Sequence, residues 1–395
     1  MLTAKGILSS GDLFAMPTAQ DATVARLPLA GRLVLDVSQG IAGPYCAALL
    51  ATQGARVIKV EPMAGDWSRH IGVNLNGISA LSIGVNAGKE SVCLDTGSES
   101  GRAALGNLAA QADIIIESFR PGVAARIGLD ADALRRERPE LVFVSISGFG
   151  PEGPYAQRPG TDSVVQALSG MMHMNRDDDG SPRAVGMYAV DTATGLYAAN
   201  AALAAILGVM LHGKGAHLQI SLLECAAAFQ AVPMIGDLLA EGQPPVPMTV
   251  PSGIFVTADG YLRVTSVSQK TFEAICRAVS RTEWLDDPRY ATASSRAANA
   301  ETLNAALAKR LEDEGNAVWL ERMNAQGVLC APVNDYRAAL ADPHIVATGV
   351  YAAVVQPEVG ETPIPRTPGA IAPPKPAPAL GADTKRILDE FGLSV

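Results

Sequence analysis

Short apolar runs that alternate with helical stretches are the feature that most restricts what this chain can fold into. Residues 32–37 and 56–61 predict buried strands, and Pro44 suits the first turn of a helix that ends at Gly54. A strand–helix–strand unit of this length predicts a right-handed parallel crossover. The alternation continues through predicted strands at 91–94, 113–117 and 141–146 and predicted helices at 98–111 and 129–137. Residues 28–225 therefore predict an open α/β sheet.

The pattern changes after this alternating part. Residues 241–251 are rich in proline and predict a connector, and beyond them a hairpin is expected to turn at Asp259-Gly260. A chain of 395 residues is long for one ordinary domain, so two domains are expected. The predicted parts are an N-terminal extension at 1–27, a large α/β domain at 28–228, a linker at 229–250, a small α+β domain at 251–335 and a tail at 336–395, with a proline-rich extended stretch at 357–379 and a short helix at 384–391.

Charge and composition disfavour several classes of partner. The 40 acidic and 31 basic residues give a net charge of −9, which argues against nucleic acid. The five cysteines are scattered without zinc-site or disulfide spacing, so they predict reduced thiols, a cytoplasmic protein and no metal. Residues 1–26 do not predict a signal peptide. Residues 192–211 are apolar enough to raise the question of a membrane span, but a buried core helix is expected and no membrane partner.

Three widespread motifs are not found in their usual form. The loop at 38–43 lacks the glycine spacing of dinucleotide-binding proteins. Residues 84–91 resemble a phosphate-binding loop, but Glu90 stands where Ser or Thr would hold magnesium. Residues 145–150 do not match the serine elbow of hydrolases. These differences argue against a dehydrogenase, a P-loop nucleotide hydrolase and a simple serine hydrolase.

Seven ordered segments resemble the class III CoA-transferases, the family of formyl-CoA:oxalate and carnitine CoA-transferases. They are LVLDVSQGIAGPY at 33–45, GARVIKVEP at 54–62, GDWSR at 65–69, NAGKES at 86–91, ESFRPGV at 117–123, VSISGFGPEGPY at 144–155 and GTDSVVQA at 160–167. The resemblance is strong over 28–225 and weaker towards the tail. It implies a Rossmann-like large domain to which the tail at 336–395 returns, an inserted small domain, and a homodimer whose two chains interlock like rings.

Asp191 stands at the place of the family's nucleophile, where the long apolar helix begins. A carboxylic acid cannot exchange its oxygen for a thiol directly at neutral pH. A protein carboxylate can instead attack the thioester, expel the CoA thiolate and carry the acyl group as a mixed anhydride. The helix N-terminus is expected to keep this carboxylate ionised and to offer N–H groups to the oxyanion. The plain alternative is that Asp191 only caps the helix.

The resemblance also implies a set of CoA contacts. Arginine suits phosphate through its fork of donors, and a ring or guanidinium can stack on adenine. Surface charge for the arginines, core packing for Phe119 and a helix cap for Asp162 are the plain alternatives. Gly97 stands where some members of the family have a lysine, so that positive charge is missing here. Arg69 and Lys89 are further cationic candidates for contacts with CoA. The implied set is Ile41, Ala42, Leu94, Ser118, Phe119, Arg120, Arg126 and Asp162, the last of which is expected to orient or tune Asp191.

Two departures from the family pattern narrow the reaction. Racemases of the family need a histidine before the acidic residue of GTDSVVQA, and Thr161 stands there, so racemisation is disfavoured. The glycine run of the formyl-CoA transferases is missing near 251–253, which disfavours oxalate. The sequence therefore predicts a CoA-transferase without metal or redox cofactor, with CoA as substrate and an acyl-CoA and a carboxylic acid as partners. An acyl-CoA racemase or epimerase and a non-catalytic CoA-binding relative are the alternatives.

Overall fold

The structure is a computed structural model that describes residues 27–177, 179–242 and 249–393. Contacts divide the chain into two units, and each is described by itself. The larger unit comprises the residues up to Met234 and those from His344 onward, and the smaller unit is Ile235–Pro343. Apart from Leu27, the predicted extension at 1–27 lies outside the described residues.

A parallel sheet of six strands forms the larger unit. Val34 lies opposite Val57 on one side and Ile114 on the other. The sheet confirms the predicted α/β class, and its order is β5-β2-β1-β6-β7-β8. The strands are β1 Leu33–Asp36, β2 Arg56–Glu61, β3 Asn74–Leu75, β4 Ile78–Ser79, β5 Glu90–Cys93, β6 Ile114–Glu117, β7 Val142–Ser147 and β8 His217–Ser221, of which β3 and β4 form a separate hairpin.

Helices cover both faces of this sheet, because successive strand side chains point to opposite faces. Val34 packs on one face in a core that includes Leu50 and Ala198, whereas Leu35 packs on the other face with Leu105. The strands are therefore buried on both faces, as the continuous apolar runs predict. The helices are α1 Ala42–Thr52, α2 Ala80–Asn86, α3 Glu99–Gln111, α4 Val123–Arg126, α5 Ala131–Glu137, α6 Asp162–Leu168, α7 Met171–Met174, α8 Ala189–His212, α9 Leu222–Phe229 and α10 Ala231–Leu239.

The strand order reverses its direction of growth at β1. From β1 the chain adds β2 and then β5 on one side, and it later returns to add β6, β7 and β8 on the other side. The carboxyl ends of β1 and β6 are therefore the switch point of this sheet. Open α/β sheets bind their ligands at such a switch point.

Helix α8 is long and apolar enough to cross a membrane by length and composition, alone among the single helices in the described ranges. It packs against α1, α6, α9 and strands β7 and β8. Its apolar character is thus explained in part by core packing, as expected. However, Leu207, Met210 and Leu211 near its end are more than half exposed, so the helix is not buried on all sides.

The smaller unit is an antiparallel sheet with helices packed on it. Phe255, Leu262 and Trp319 are buried in its core, and the expected hairpin forms around Asp259. The predicted linker at 229–250 contains the helix α10, and its residues 243–248 lie outside the described ranges. The elements are β9 Ser252–Thr257, β10 Gly260–Thr265, β11 Leu329–Pro332, α11 Gln269–Ala278, α12 Ala293–Ala298, α13 Ala300–Leu311, α14 Asn316–Ala325 and α15 Tyr336–Leu340.

The tail after His344 packs on the sheet of the larger unit. It contains α16 Pro343–Thr348, the hairpin β12 Tyr351–Gln356 and β13 Gly360–Pro365, and α17 Thr384–Glu390. Ile387 of α17 is buried in the same core as Leu35, and the carboxylate of Asp383 accepts a hydrogen bond from the N–H of Ser91 at 2.9 Å. The short helix expected at 384–391 is present. The start of the stretch expected to be extended is instead paired in the hairpin.

Candidate active site

Asp191 lies in the first turn of α8, where backbone N–H groups need partners from outside the helix. A carboxylate of α6 supplies them. Oδ2 of Asp162 accepts hydrogen bonds from the N–H of Val190 at 2.8 Å and from the N–H of Asp191 at 3.0 Å. The structure therefore places Asp162 beside Asp191 and gives it the role of capping α8.

The orientation of Asp162 is itself set by a neighbour one turn along α6. The side-chain amide of Gln166 donates to Oδ1 of Asp162, and its carbonyl oxygen accepts from the N–H of Val185 at 2.9 Å. Asp162 and Gln166 are both buried. The start of α8 is thus held to α6 by side chains that have little freedom to rotate.

The carboxyl group of Asp191 has an unusual affinity for protons. Burial raises its pKa from the usual 3.8 to about 7, and the negative charge of Asp162 adds to the rise. The expectation that the helix N-terminus keeps this group ionised and offers N–H groups was wrong, because the N–H groups of Val190 and Asp191 already donate to Asp162. A carboxyl that titrates near neutral pH is typical of a reactive site.

Helices α1 and α8 approach each other closely one turn after Asp191. A Cβ atom on Gly195 would lie 2.8 Å from Cδ1 of Tyr45 and 2.9 Å from the carbonyl oxygen of Ala42. Only glycine fits at this contact, which brings the first turns of α1 and α8 side by side. Ala42, which belongs to the predicted CoA set, is therefore close to the helix that carries Asp191.

A cavity of about 210 Å³ lies at the carboxyl edge of the six-stranded sheet. It is lined by residues that follow β1, β2, β5 and β6, so it coincides with the switch point. Phe119 forms one wall, as the resemblance implies. The other lining residues are Val37, Gln39, Val60, Glu61, Pro62, Thr96, Leu105, Val123 and Ile127.

Ser118 joins the two loops that border the switch point. Its hydroxyl accepts a hydrogen bond from the N–H of Gln39 at 2.8 Å and donates to the carbonyl oxygen of Gln39 at 3.1 Å. Phe119, the next residue, is also held by a hydrogen bond, because its N–H donates to the carboxyl of Glu117 at 2.7 Å. Burial raises the pKa of Glu117. Ser118 was predicted as a CoA contact, and its hydroxyl contacts the β1–α1 loop.

The remaining members of the predicted CoA set fall into three environments. Ile41 and Ala42 are buried at the start of α1. Arg120 and Arg126 are exposed, the first beside the cavity residue Phe119 and the second at the end of α4 next to Ile127. Leu94 is buried in the core formed with α3 and α17, so its side chain serves packing, and its N–H donates to the carbonyl oxygen of Glu61 at 3.0 Å.

A buried cluster of charged side chains lies under the β1–α1 loop, and the sequence reasoning missed its role. Lys59 donates to the carbonyl oxygen of Ser38 at 2.8 Å and lies 3.1 Å from Oδ2 of Asp66. Lys89 donates to Oδ2 of Asp36 at 2.7 Å. The available signal was that charged residues interrupt the apolar runs of β1 and β2 near their carboxyl ends.

Arg69 and Lys89, the further cationic candidates, belong to this cluster. Arg69 binds Glu61 through two hydrogen bonds of 2.7 Å. Both cations are nearly inaccessible to solvent, so the structure places them inside the protein and away from an approaching phosphate.

The cluster compensates its buried charges. Burial by itself would raise the pKa of Asp36, but the ammonium groups of Lys59 and Lys89 outweigh it and hold the pKa below its usual value. Glu61 behaves in the same way, because the guanidinium of Arg69 and the charge of Lys59 outweigh its burial. These carboxylates are therefore almost fully ionised at neutral pH, whereas Asp191, with a pKa of about 7, is ionised only in part.

Within residues 27–177, 179–242 and 249–393, no group of three or more His, Cys, Asp and Glu side chains could hold a metal ion. The groups with chemistry described above are the carboxyl groups of Asp191 and Asp162 at the start of α8 and, at the switch point, the hydroxyl of Ser118 with the backbone groups of Gln39.

Sequence and structure comparisons agree on one family. Residues 29–384 match the profile of CoA-transferase family III. The chain is 32% identical over 375 residues to succinyl-CoA:glutarate CoA-transferase of Homo sapiens, covering 92% of this chain and 86% of that protein. It is 33% identical over 329 residues to acetyl-CoA:oxalate CoA-transferase of Acetobacter aceti, covering 81% and 84%. A solved CAIB/BAIF family protein from Brucella suis matches with a TM-score of 0.83 at 31% identity, over 92% of this chain and 99% of that one.

Proposed function

Because the chain belongs to CoA-transferase family III and is a CoA-transferase, we propose that it transfers CoA from an acyl-CoA to a free carboxylic acid with Asp191 as nucleophile. The observation that carries this assignment is the carboxyl of Asp191 in the first turn of α8, with its pKa raised to about 7. A carboxylate of this basicity is a stronger nucleophile than a surface aspartate, yet a large part of it is ionised at neutral pH.

The proposed reaction passes through two anhydrides. An oxygen of Asp191 attacks the thioester carbon, and the C–S bond breaks to release CoA thiolate. The thiolate then attacks the Asp191 carbonyl carbon, which expels the donor acid and leaves an aspartyl-CoA thioester. The acceptor carboxylate attacks the same carbon and again expels thiolate. The thiolate finally attacks the acceptor acyl carbon, so that acyl-CoA leaves and Asp191 regains its carboxylate.

Stabilisation of the oxyanion is assigned to the start of α1. The first N–H groups of a helix need partners, and the isoleucine at its N-cap, Ile41, has no side-chain atom that can accept a hydrogen bond. Gly195 keeps this helix end next to α8. In this proposal the cavity beside Phe119 receives the nucleotide part of CoA, and the exposed Arg120 and Arg126 meet its phosphates.

A small dicarboxylyl-CoA such as succinyl-CoA is the proposed donor, and a small carboxylic acid is the acceptor. The named relatives use succinyl-CoA with glutarate and acetyl-CoA with oxalate, so the family accommodates short acids. The missing glycine run near 251–253 disfavours oxalate as the acceptor of this chain. A panel of carboxylic acids incubated with succinyl-CoA or acetyl-CoA, with products identified by mass, selects among these pairs.

The decisive experiment is the substitution Asp191→Ala. Transfer is expected to fall by about 10⁴-fold or more while CoA binding by calorimetry persists. Mass spectrometry of the unaltered enzyme with acyl-CoA should show an adduct on the peptide that contains Asp191. Asp130→Ala is a matched control, because this exposed aspartate caps α5 and should leave the rate within about twofold. Near-normal transfer in Asp191→Ala would reject the mechanism.

The two alternatives have separate signatures. A racemase would exchange the α-proton of an acyl-CoA for deuterium without any acceptor acid. Thr161, which is the N-cap residue of α6, has no basicity for that step. A non-catalytic relative would bind CoA and transfer it to none of the acids in the panel.

We also propose that the protein is an interlocked homodimer located in the cytoplasm. The exposed apolar side chains of Leu207, Met210 and Leu211 on α8 support a second copy as the cover of this face. The unpaired state of the five cysteines supports a reducing compartment. Light scattering of the purified protein tests the dimer, and Leu211→Glu should weaken it. Cell fractionation tests the location.

A further inference from the structure

The backbone of the β1–α1 loop, residues 37–41, is bonded to side chains of other segments at three consecutive residues. The N–H of Ser38 donates to Oδ1 of Asp36 at 3.0 Å, and its carbonyl oxygen accepts from Lys59. Both polar groups of Gln39 are taken by the hydroxyl of Ser118. The next residue, Gly40, donates its N–H to the carboxylate of Asp66, 3.1 Å from each oxygen. Five of the six backbone polar groups of Ser38, Gln39 and Gly40 are therefore bonded to side chains.

The backbone conformation of the loop at Gly40 is one that favours glycine. Gly40 has φ +85°, in the region that favours glycine. A Cβ on Gly40 would clash with Cζ2 of Trp67, whose backbone lies next to Asp66. The indole ring and the carboxylate therefore fix Gly40 from neighbouring positions of one short turn.

Stability alone does not account for the residues that provide this support. Lys59 and Asp66 have no accessible surface, and a buried ion pair can often be replaced by apolar residues without loss of stability. What such a pair adds is direction, because each donor and acceptor accepts only a narrow range of geometry. In this protein Lys59 and Asp66 form hydrogen bonds to the backbone of the loop that leads into the first turn of α1.

We infer that Lys59, Asp66 and Ser118 are positioning residues, which hold the β1–α1 loop so that the start of α1 meets the reacting thioester. The inference rests on the proposed function, because that function places the thioester beside Ile41 and Ala42. These three side chains act through the loop backbone and are not catalytic residues. For Ser118 this replaces the direct contact with CoA that the family resemblance implies.

Ser118→Ala is the main test, since it removes one hydroxyl from a partly exposed position. We expect kcat/KM for the acyl-CoA to fall about 10-fold or more, because small displacements of reacting groups are costly. Ser118→Thr keeps the hydroxyl and should retain activity within about threefold. Hydrogen exchange of the 38–41 amides should accelerate in Ser118→Ala, and this readout needs no substrate, so it separates failure of this inference from failure of the proposed function.

Asp66→Asn is the second test. Both oxygens of Asp66 face donors, from Gly40, Ser68 and Lys59, so the amide nitrogen of an asparagine must face one of them. If Asp66 and Ser118 act through the same loop, the double variant should lose less than the product of the two single losses. Arg56→Met is the control, because it lies on the same strand as Lys59 but pairs with Glu90 and Glu390.

Three outcomes would overturn the inference. They are unchanged loop exchange in Ser118→Ala, equal losses in Ser118→Ala and Ser118→Thr, and multiplicative losses in the double variant. If loop exchange accelerates as expected while the unaltered protein transfers no CoA, then the loop is held as inferred and the proposed function is what fails.

Discussion

Two groups of carboxylates in the larger unit, one fully buried and one partly buried, have opposite electrostatic surroundings. Asp36, Glu61 and Asp66 each lie within an ion pair of a lysine or arginine, and the pKa values of Asp36 and Glu61 are held down. Asp191 instead lies beside a second carboxyl, that of Asp162, and its pKa rises to about 7. Loss of solvent contact raises the pKa in both groups, and only the cations beside Asp36 and Glu61 reverse that rise.

The difference corresponds to the structural role of the first group and to the reactive role that is proposed for Asp191. A compensated carboxylate is a poor nucleophile, because its lone pairs are bound to cations and N–H groups. A carboxylate without such partners keeps its basicity. Its charge is also poorly solvated, and this unfavourable free energy is relieved when the carboxylate bonds to an acyl carbon. Substitutions that change one group of carboxylates while leaving the other in place test this contrast.

Lys59→Met is expected to cause the largest loss of stability. The methionine replaces most of the volume but leaves Asp36 and Asp66 with one cation fewer in a sealed interior. The free energy of unfolding should fall by about 3–5 kcal/mol, measured by chemical denaturation at neutral pH. A loss below about 1 kcal/mol would mean that the cluster does not depend on its compensation.

Asp191→Asn should instead increase the free energy of unfolding. In the folded protein the carboxyl has a pKa of about 7, against 3.8 in the unfolded chain, so folding binds protons between these values. The unaltered protein therefore loses stability as pH rises from 3.8 to about 7 and stays at the lower level above that range. Asparagine avoids this cost, and the variant should be more stable at alkaline pH by on the order of 3 kcal/mol, with no gain in acid. Thermal melts across pH check both, and a gain independent of pH would show that ionisation of the buried carboxyl is not its cause.

The pH dependence of kcat/KM for the acyl-CoA reports the same carboxyl in the free enzyme. Activity should fall as pH drops below about 7, because a protonated Asp191 cannot attack. In Asp162→Asn the midpoint should move to lower pH, since one negative charge is removed, but it should stay above that of an ordinary aspartate because burial is the larger cause. An unchanged or higher midpoint would show that Asp162 does not influence Asp191 by its charge.

Arg56→Met should have the smallest effect. Arg56 is on the same strand as Lys59, but its ion pairs with Glu90 and Glu390 lie near solvent. Such pairs contribute about 0–1 kcal/mol and weaken with added salt. Denaturation at low and high ionic strength measures this, and a loss comparable to that of Lys59→Met would remove the distinction between compensated burial and surface pairing.

Element types were predictable because side-chain burial repeats with the period of the backbone. The apolar runs placed β1, β2, β6 and β7 to within one or two residues, and Ser98 was expected to start α3, which it caps. The hairpin β12–β13 was missed, because the proline-rich sequence suggests an extended chain without a pairing partner, whereas β13 pairs with the strand that directly precedes it. The helix α10 was missed because prolines near it suggested a linker.

The site was predictable only in its chemistry. Asp191 was assigned as the nucleophile from the family resemblance and stays a prediction, and Asp162, which was expected beside it, lies next to it. The direction of the pKa shift was mistaken, because it depends on whether Asp162 takes the N–H groups that a lone helix would offer. The hydroxyl of Ser118 likewise appeared free in the sequence and is bonded to Gln39 in the fold.

Local patterning by itself determined the parallel α/β unit and indicated a small second unit, whereas the carboxyl that is proposed to bear the acyl group was singled out by the family resemblance. Only the tertiary structure decided which carboxylates are neutralised and which is not, since Asp36, Lys59 and Lys89 meet from three different strand ends or loops. The physical reason is that burial follows from a residue's own pattern, whereas the field at a buried charge is set by side chains that are distant in the sequence.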